Sequence, residues 1–180
     1  MDDFPIGAIL QPGGLRVDDL VGDFASELIR RGIKVRGLVQ RCEPSATGCA
    51  CAMEVVDLHT GERYRISQRL GAGSESCRVD PSGIAAASQV LRRAMEDGAE
   101  LVVANRFGTL EKSGRGLADE MLAAMASGLP FLTVVAERHV DAWRTFCGGL
   151  GEVVAPTRRG LEDWFRRASA ARGLMAAAAE

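Results

Sequence analysis

Apolar residues in this chain fall into short unbroken runs separated by longer stretches in which they recur every three or four positions. Runs of the first kind suit strands covered on both faces, stretches of the second kind suit helices with one covered side, and their alternation predicts an α/β sheet. Ile6 to Leu10 is the first strand. The loop from Gln11 to Val17 contains Pro12, Gly13 and Gly14, which stop helix and strand alike. A helix begins near Asp18, with Leu20, Val21, Phe24, Leu28 and Ile29 as its apolar stripe. Asp18 and Asp19 suit its amino end, Arg30 and Arg31 its carboxyl end, and Gly32 stops it. Ile33 to Gln40 is the second strand, and a right-handed crossover predicts that it is a parallel neighbour of the first.

The pattern continues with Met53 to Leu58 and Arg63 to Ile66, which alternate well enough to pair as a hairpin across His59 to Glu62, read as an insertion or a sheet edge. Asp80 followed by Pro81 marks a helix start, with Ile84, Ala87, Leu91 and Met95 inward. Leu101 to Ala104 is an unbroken apolar run ending in Asn105, as expected of a central parallel strand whose carboxyl end gathers ligands. A helix follows over 116–127, then a strand over 131–136, a helix over 140–147, a strand over 152–155 and a helix over 160–172. The last six residues are expected to fray. Trp143, Phe146, Trp164 and Phe165 pack the last third, and Cys147 is a core residue.

The whole is read as one domain over 1–180, with its core at about 6–172 and the hairpin and loop insertion at about 42–79. Lys plus Arg number 22 against 24 Asp plus Glu, a formal net charge of -2, which supplies no global field for nucleic acid or anionic lipid. Neither nucleic acid nor membrane is an expected partner. The amino end lacks the basic start and apolar middle of a signal peptide, and no stretch has the length of a membrane span. Five cysteines in an odd, scattered set fit reduced thiols and a cytoplasmic location. Cys42, Cys49, Cys51 and Cys77 with His59 include soft ligands, but Cys-x-Cys is not the paired Cys-x-x-Cys of structural zinc sites, so no metal site is expected.

Three loops carry candidate chemistry. The first lies where a phosphate-binding loop lies, between a buried strand and a helix amino end, and Gly13 and Gly14 offer backbone amides. It lacks the Lys and the Ser or Thr that hold phosphates and magnesium in Gly-x-x-x-x-Gly-Lys-Ser/Thr. Asp18 and Asp19 stand at the helix start, where they can bind those amides and repel a phosphate, so a capped turn is the plainer reading. The second loop runs from Asn105 to Gly116, where neutral Asn105 stands in place of a metal-holding Asp. Glu111 could orient a water, and Arg106, Lys112 and Arg115 could neutralise an anion; solvated surface charge explains them equally. The third, from Arg65 to Arg78, combines Ser67, Gln68, Ser74 and Cys77 with arginines around Gly71 and Gly73, and suits a small oxyanion or a plain polar connection. It does not match a dinucleotide fingerprint. His139 follows a strand and precedes a helix, so it faces the Asn105 cleft or simply sits at the surface.

Four motifs in order, Gly37-Leu38-Val39-Gln40, Arg65-Ile66-Ser67-Gln68, Cys77-Arg78-Val79-Asp80-Pro81 and Asn105-Arg106-Phe107-Gly108-x-x-Glu111-x-x-Gly114-Arg115-Gly116, resemble a bacterial domain family of unknown function in the P-loop NTPase superfamily. The resemblance runs from about Ile6 to Arg172. It implies a P-loop NTPase-like three-layer sandwich with a mostly parallel sheet of about five strands and a β-hairpin insertion. It also implies kinship with small nucleoside triphosphatases first described from thermophiles, whose strand-end Asp-Glu-x-Gly-x-x-Glu serves magnesium and water. Only Gly108 and Glu111 match that motif, with Asn105 and Arg106 in place of its two acids. Members of the family are often encoded near molybdate uptake and molybdenum-enzyme genes.

The reading is a cytoplasmic binding protein with degenerate Walker motifs, holding a nucleotide phosphate or a small oxyanion such as molybdate, and leaning away from catalysis. Its candidate ligand residues are Gly13, Gly14, Gln40, Ser67, Gln68, Ser74, Cys77, Asn105, Arg106 and Arg115. The alternatives are a weak nucleoside triphosphatase using Glu111, and a structural or interaction protein that binds no small molecule. Oligomeric state and protein partner are left open.

Overall fold

The computed structural model describes residues 5–12, 16–42, 53–69 and 77–178. Its strands are β1 (Ile6–Gln11), β2 (Val35–Cys42), β3 (Met53–Asp57), β4 (Arg63–Arg65), β5 (Ser67–Arg69), β6 (Cys77–Val79), β7 (Leu101–Phe107), β8 (Phe131–Ala136) and β9 (Glu152–Val154). Its helices are α1 (Asp18–Arg30), α2 (Pro81–Glu96), α3 (Thr109–Lys112), α4 (Ala118–Ala126), α5 (Val140–Phe146) and α6 (Arg158–Ala178). Among the described residues, no helix is long and apolar enough to cross a membrane.

Seven strands form one sheet in the order β4-β3-β2-β7-β8-β1-β9. The five from β2 to β9 are parallel, as the alternation of runs and stripes requires, and the hairpin β3–β4 adds two antiparallel strands to the β2 edge. The hairpin is therefore a sheet edge. A separate antiparallel pair, β5–β6, occupies part of what reads in sequence as a polar loop. One expectation fails: β1 and β2 are parallel but not neighbours, because β7 and β8 lie between them. Those two strands are apolar on both faces and need cover on both, so they take the middle of the sheet.

Cover comes from two helical layers. α1 and α6 pack Phe24, Leu28, Leu161 and Trp164 on one face, and α2, α4 and α5 pack Leu91, Met121 and Trp143 on the other. The result is a P-loop NTPase-like three-layer α/β sandwich. Asp80 caps α2 as expected, accepting from the amides of Ser82 and Gly83 at 3.0 and 3.4 Å. α6 continues to Ala178, so the expected fraying of the last six residues does not begin where the sequence places it.

Two local features shape the carboxyl end of the parallel strands. Gly37 has φ 113°, and a Cβ there would lie 2.0 Å from the Val103 carbonyl oxygen. β2 approaches β7 this closely only over Val35 to Gly37; beyond it, β2 pairs with β3 alone. The second feature is a bulge in β7. Its register steps from Ala104↔Thr133 to Arg106↔Val134, leaving Asn105 unmatched. One extra residue inverts the alternation of faces. Without it Arg106 would point toward the α2 layer; with it Arg106 lies beside Val134 on the α1 side, and Phe107 beside Val135 on the α5 side, where it packs on Trp143 and Phe146. The fully buried Thr133 hydroxyl donates to the Ala104 carbonyl at 2.7 Å, beside the bulge.

Candidate functional site

Strands β7, β8 and β1 lie side by side and parallel, so the loops that follow them leave from the same, carboxyl, end of the sheet. Connections leave β1 and β8 over opposite faces, which makes this the crevice where open α/β sheets place ligands. Gly13 and Gly14 belong to the first of these loops and lie outside the described residues, as does Ser74 of the 65–78 segment. The first residues of α1 are described, and they differ from the capped turn read in sequence. Val17 occupies the N-cap with no side-chain cap. The Asp18 carboxylate turns instead to Arg106, whose Nε donates to Oδ1 at 3.1 Å and whose Nη2 donates to Oδ2 at 2.5 Å. Asp18 is 8% exposed and Arg106 24% exposed, so both oxygens face a fork of matching geometry largely out of water.

Glu111 is also buried and committed. Its Oε2 accepts from the Gly108 amide at 3.0 Å and its Oε1 from the Leu117 amide at 3.2 Å, closing the 108–117 segment into a loop around one carboxylate. Gly116 completes this seat, since a Cβ there would lie 2.4 Å from Oε1. Asp18 and Glu111, the buried acids at this end of the sheet, thus serve as internal acceptors, while Asp19, Glu137 and Asp141 are exposed.

Arg106 and Arg115, paired in the sequence reading as the charge of one cleft, are not brought together. Arg106 faces α1. Arg115 is exposed, its Nε donates to the Ser113 hydroxyl at 3.4 Å, and it lines a cleft of about 480 Å³ between α2 and α4 with Pro81, Ile84, Arg92 and Glu120. Asn105 sits at the bulge rather than at the strand end, two residues before Phe107 closes β7.

The remaining candidates gather near the β2 edge. Gln40 lies opposite Val55 and shares the Leu38 face, toward α2. Ser67, Gln68 and Cys77 fall on β5–β6, where Ser67 pairs with Val79 and Arg69 with Cys77. The Ser67 oxygen is buried and accepts from the Met53 amide at 2.9 Å, which ties the start of the hairpin to the start of β5. Cys49 and Cys51 lie outside the described residues. Among the described residues, no group of three or more His, Cys, Asp or Glu side chains is arranged to hold a metal ion.

His139 ends a short 3-10 turn, Glu137–His139, just beyond β8. It is buried, and burial together with the charges of Arg138 and Lys112 holds its pKa below the ordinary 6.5. The Asp18–Arg106 pair is what sequence reasoning missed, because nothing local announces a bulge that turns residue 106 toward a helix 88 positions earlier.

A parallel core in this strand order, covered by helices on both faces and with a hairpin on one edge, defines a three-layer α/β protein with a P-loop NTPase-like fold. Within that class the chain belongs to the family described as Protein of unknown function (DUF2478), which matches residues 6–164. It is 39% identical over 164 residues to the molybdenum import ATP-binding protein ModC 2 of Bradyrhizobium diazoefficiens. That match covers 91% of this chain and 18% of the relative, so the chain spans less than a fifth of that protein's length. A human cancer-related nucleoside triphosphatase solved in solution shares the fold, with a TM-score of 0.60 at 19% identity, over 82% of this chain and 86% of that one.

Proposed function

We propose that this chain is a cytoplasmic, P-loop-like binding protein that holds a nucleotide phosphate or a small oxyanion, serves molybdenum import, and does not turn nucleotide over. The observation that carries the reading is the commitment of the two buried acids at the ligand end of the sheet: Asp18 is spent on Arg106, and Glu111 on two backbone amides. Hydrolysis needs a carboxylate free to hold magnesium or to position water, and the loop after β1 has neither the lysine nor the hydroxyl that grips phosphates. Binding asks less, since backbone amides at a helix start and nearby cations suffice. The link to molybdenum import rests on the resemblance to ModC 2.

The test is calorimetry and thermal shift on the purified chain with ATP, GTP, molybdate, tungstate and sulfate, each with and without magnesium, alongside a phosphate-release assay. Saturable binding of at least one anion with no release above the protein-free rate is the expected result. Magnesium-dependent release lost in Glu111→Gln would establish the triphosphatase instead, and silence toward every anion would leave an interaction protein. A true ligand at 100 times its dissociation constant should stabilise the fold by about 2.7 kcal/mol.

A further inference from the structure

Arg106 faces α1, whereas the cleft of about 480 Å³ that Arg115 lines opens on the opposite, α2–α4 face of the sheet. Its size is that of a small-molecule pocket and exceeds what one tetrahedral oxyanion fills. Val79, Pro81, Ile84 and Leu110 give it apolar walls. One wall is the 108–117 loop, which the Glu111 carboxylate closes from within, so Leu110 and Arg115 project from an anchored segment.

Two polar side chains in the lining are buried yet keep an atom open. Glu120 is 6% exposed, and Arg92 donates from Nε and Nη2, at 3.1 and 2.8 Å, to the same oxygen, Oε1. Oε2 accepts from no described residue and is not sealed from solvent, so a carboxylate lining the cleft has an acceptor to spare. Ser88, 9% exposed, stands one turn before Arg92 on the face of α2 that meets α4, and its hydroxyl bonds no described residue.

The charges decide what fits. Arg92 and Arg115 in the lining are balanced by Asp119 and Glu120, so no surplus positive charge is left to hold a bare oxyanion. Instead the cleft offers its polar contacts separately. Arg115 is exposed and forms no ion pair among the described residues, which suits an anionic group, while Oε2 of Glu120 calls for an N–H. An apolar wall between such groups suits the face of a ring.

We propose that the α2–α4 cleft seats a nucleotide, with a base N–H donating to Glu120 Oε2, the Ser88 hydroxyl as a second polar contact, the base against the apolar wall and a phosphate on Arg115. The inference rests on the anion-binding reading above. It selects the nucleotide over the free oxyanion and places it on this face rather than over the loop after β1.

The test is calorimetry with ATP, GTP and sodium molybdate on wild type, Arg115→Ala, Ser88→Ala and Ala85→Trp, with 1H–15N spectra of wild type and each ligand. Ala85 is exposed and lines the cleft, so an indole there fills the cleft without entering the core. ATP or GTP should bind saturably and move the amide signals of Ala85, Ser88, Gly116 and Glu120, which molybdate should leave still. Arg115→Ala and Ala85→Trp should each bind about tenfold more weakly or worse, and Ser88→Ala about threefold. Arg115 and Ala85 are both exposed, and circular dichroism of their variants should match wild type. Nucleotide binding that leaves the cleft signals still, or that is unchanged in Arg115→Ala and Ala85→Trp, would overturn the cleft while the anion reading stands. Binding of molybdate alone would do the same. No wild-type binding of any of the three would overturn both.

Discussion

Arg106 and Asp18, 88 residues apart in the chain, meet in a two-pronged ion pair that joins the bulged end of β7 to the first turn of α1. The pair sits near the place where related folds grip a phosphate, and it puts the protein's own carboxylate against the guanidinium. Buried pairs of this kind add little net stability over apolar residues of the same shape, but losing one partner strands the other. Asp18→Ala should therefore cost about 2–3 kcal/mol, below the usual 3–5 because Arg106 keeps a quarter of its exposure. Urea denaturation measures it, and Asp18→Leu with Arg106→Met should recover most of the loss. A single Asp18→Ala as stable as wild type would contradict the pairing.

Glu111 anchors the segment between β7 and α4. Its replacement by Ala leaves the Gly108 and Leu117 amides without their acceptor, and should lower stability by about 2–4 kcal/mol. Glu111→Gln keeps one acceptor oxygen but turns an NH2 toward the other amide, so an intermediate loss is expected. Chemical denaturation of the three proteins gives the order directly.

The closeness of β2 to β7 at Gly37 predicts that Gly37→Ala destabilises by about 3 kcal/mol or more, since the new methyl meets a backbone carbonyl at a positive φ. Gly61 also has a positive φ but nothing within 4 Å of a Cβ, so Gly61→Ala should cost only about 1–2 kcal/mol. Thermal unfolding of the two variants separates steric conflict from backbone strain.

His139 makes stability depend on pH. Burial, Arg138 and Lys112 depress its folded pKa below 6.5, so between the folded and unfolded values the unfolded chain binds more protons. The His139 contribution is fully present above 6.5 and is lost as pH falls toward the folded value. The unfolding free energy of wild type minus that of His139→Gln should thus decline as pH drops from 7 to 5. A difference that is flat over that range would show that the ring does not titrate as its surroundings require.

Much of the scaffold was legible in the sequence because its signals are local. Five strand-like apolar runs and their helical neighbours marked the parallel strands and the covering helices, and Asp80-Pro81 marked a helix start that is capped as read. Strand order was less legible. The crossover rule made β1 and β2 parallel, but whether two more strands enter between them depends on which strands are most apolar on both faces. α3 and the β5–β6 pair went unseen, since each is too short to show a period of its own.

For the candidate site, the sequence by itself determined what is missing: no Gly-Lys-Ser/Thr after the first strand, and Asn105 and Arg106 where the related motif has acids. Only the tertiary structure decided what the remaining residues do. Arg106 and Arg115 are nine positions apart yet face different helical layers, because one unmatched residue at 105 inverts the side of everything after it in the strand. Such an inversion exists only relative to a partner strand, and the partner that reveals it, β8, arrives some thirty residues later, so no window of sequence around Arg106 contains the information.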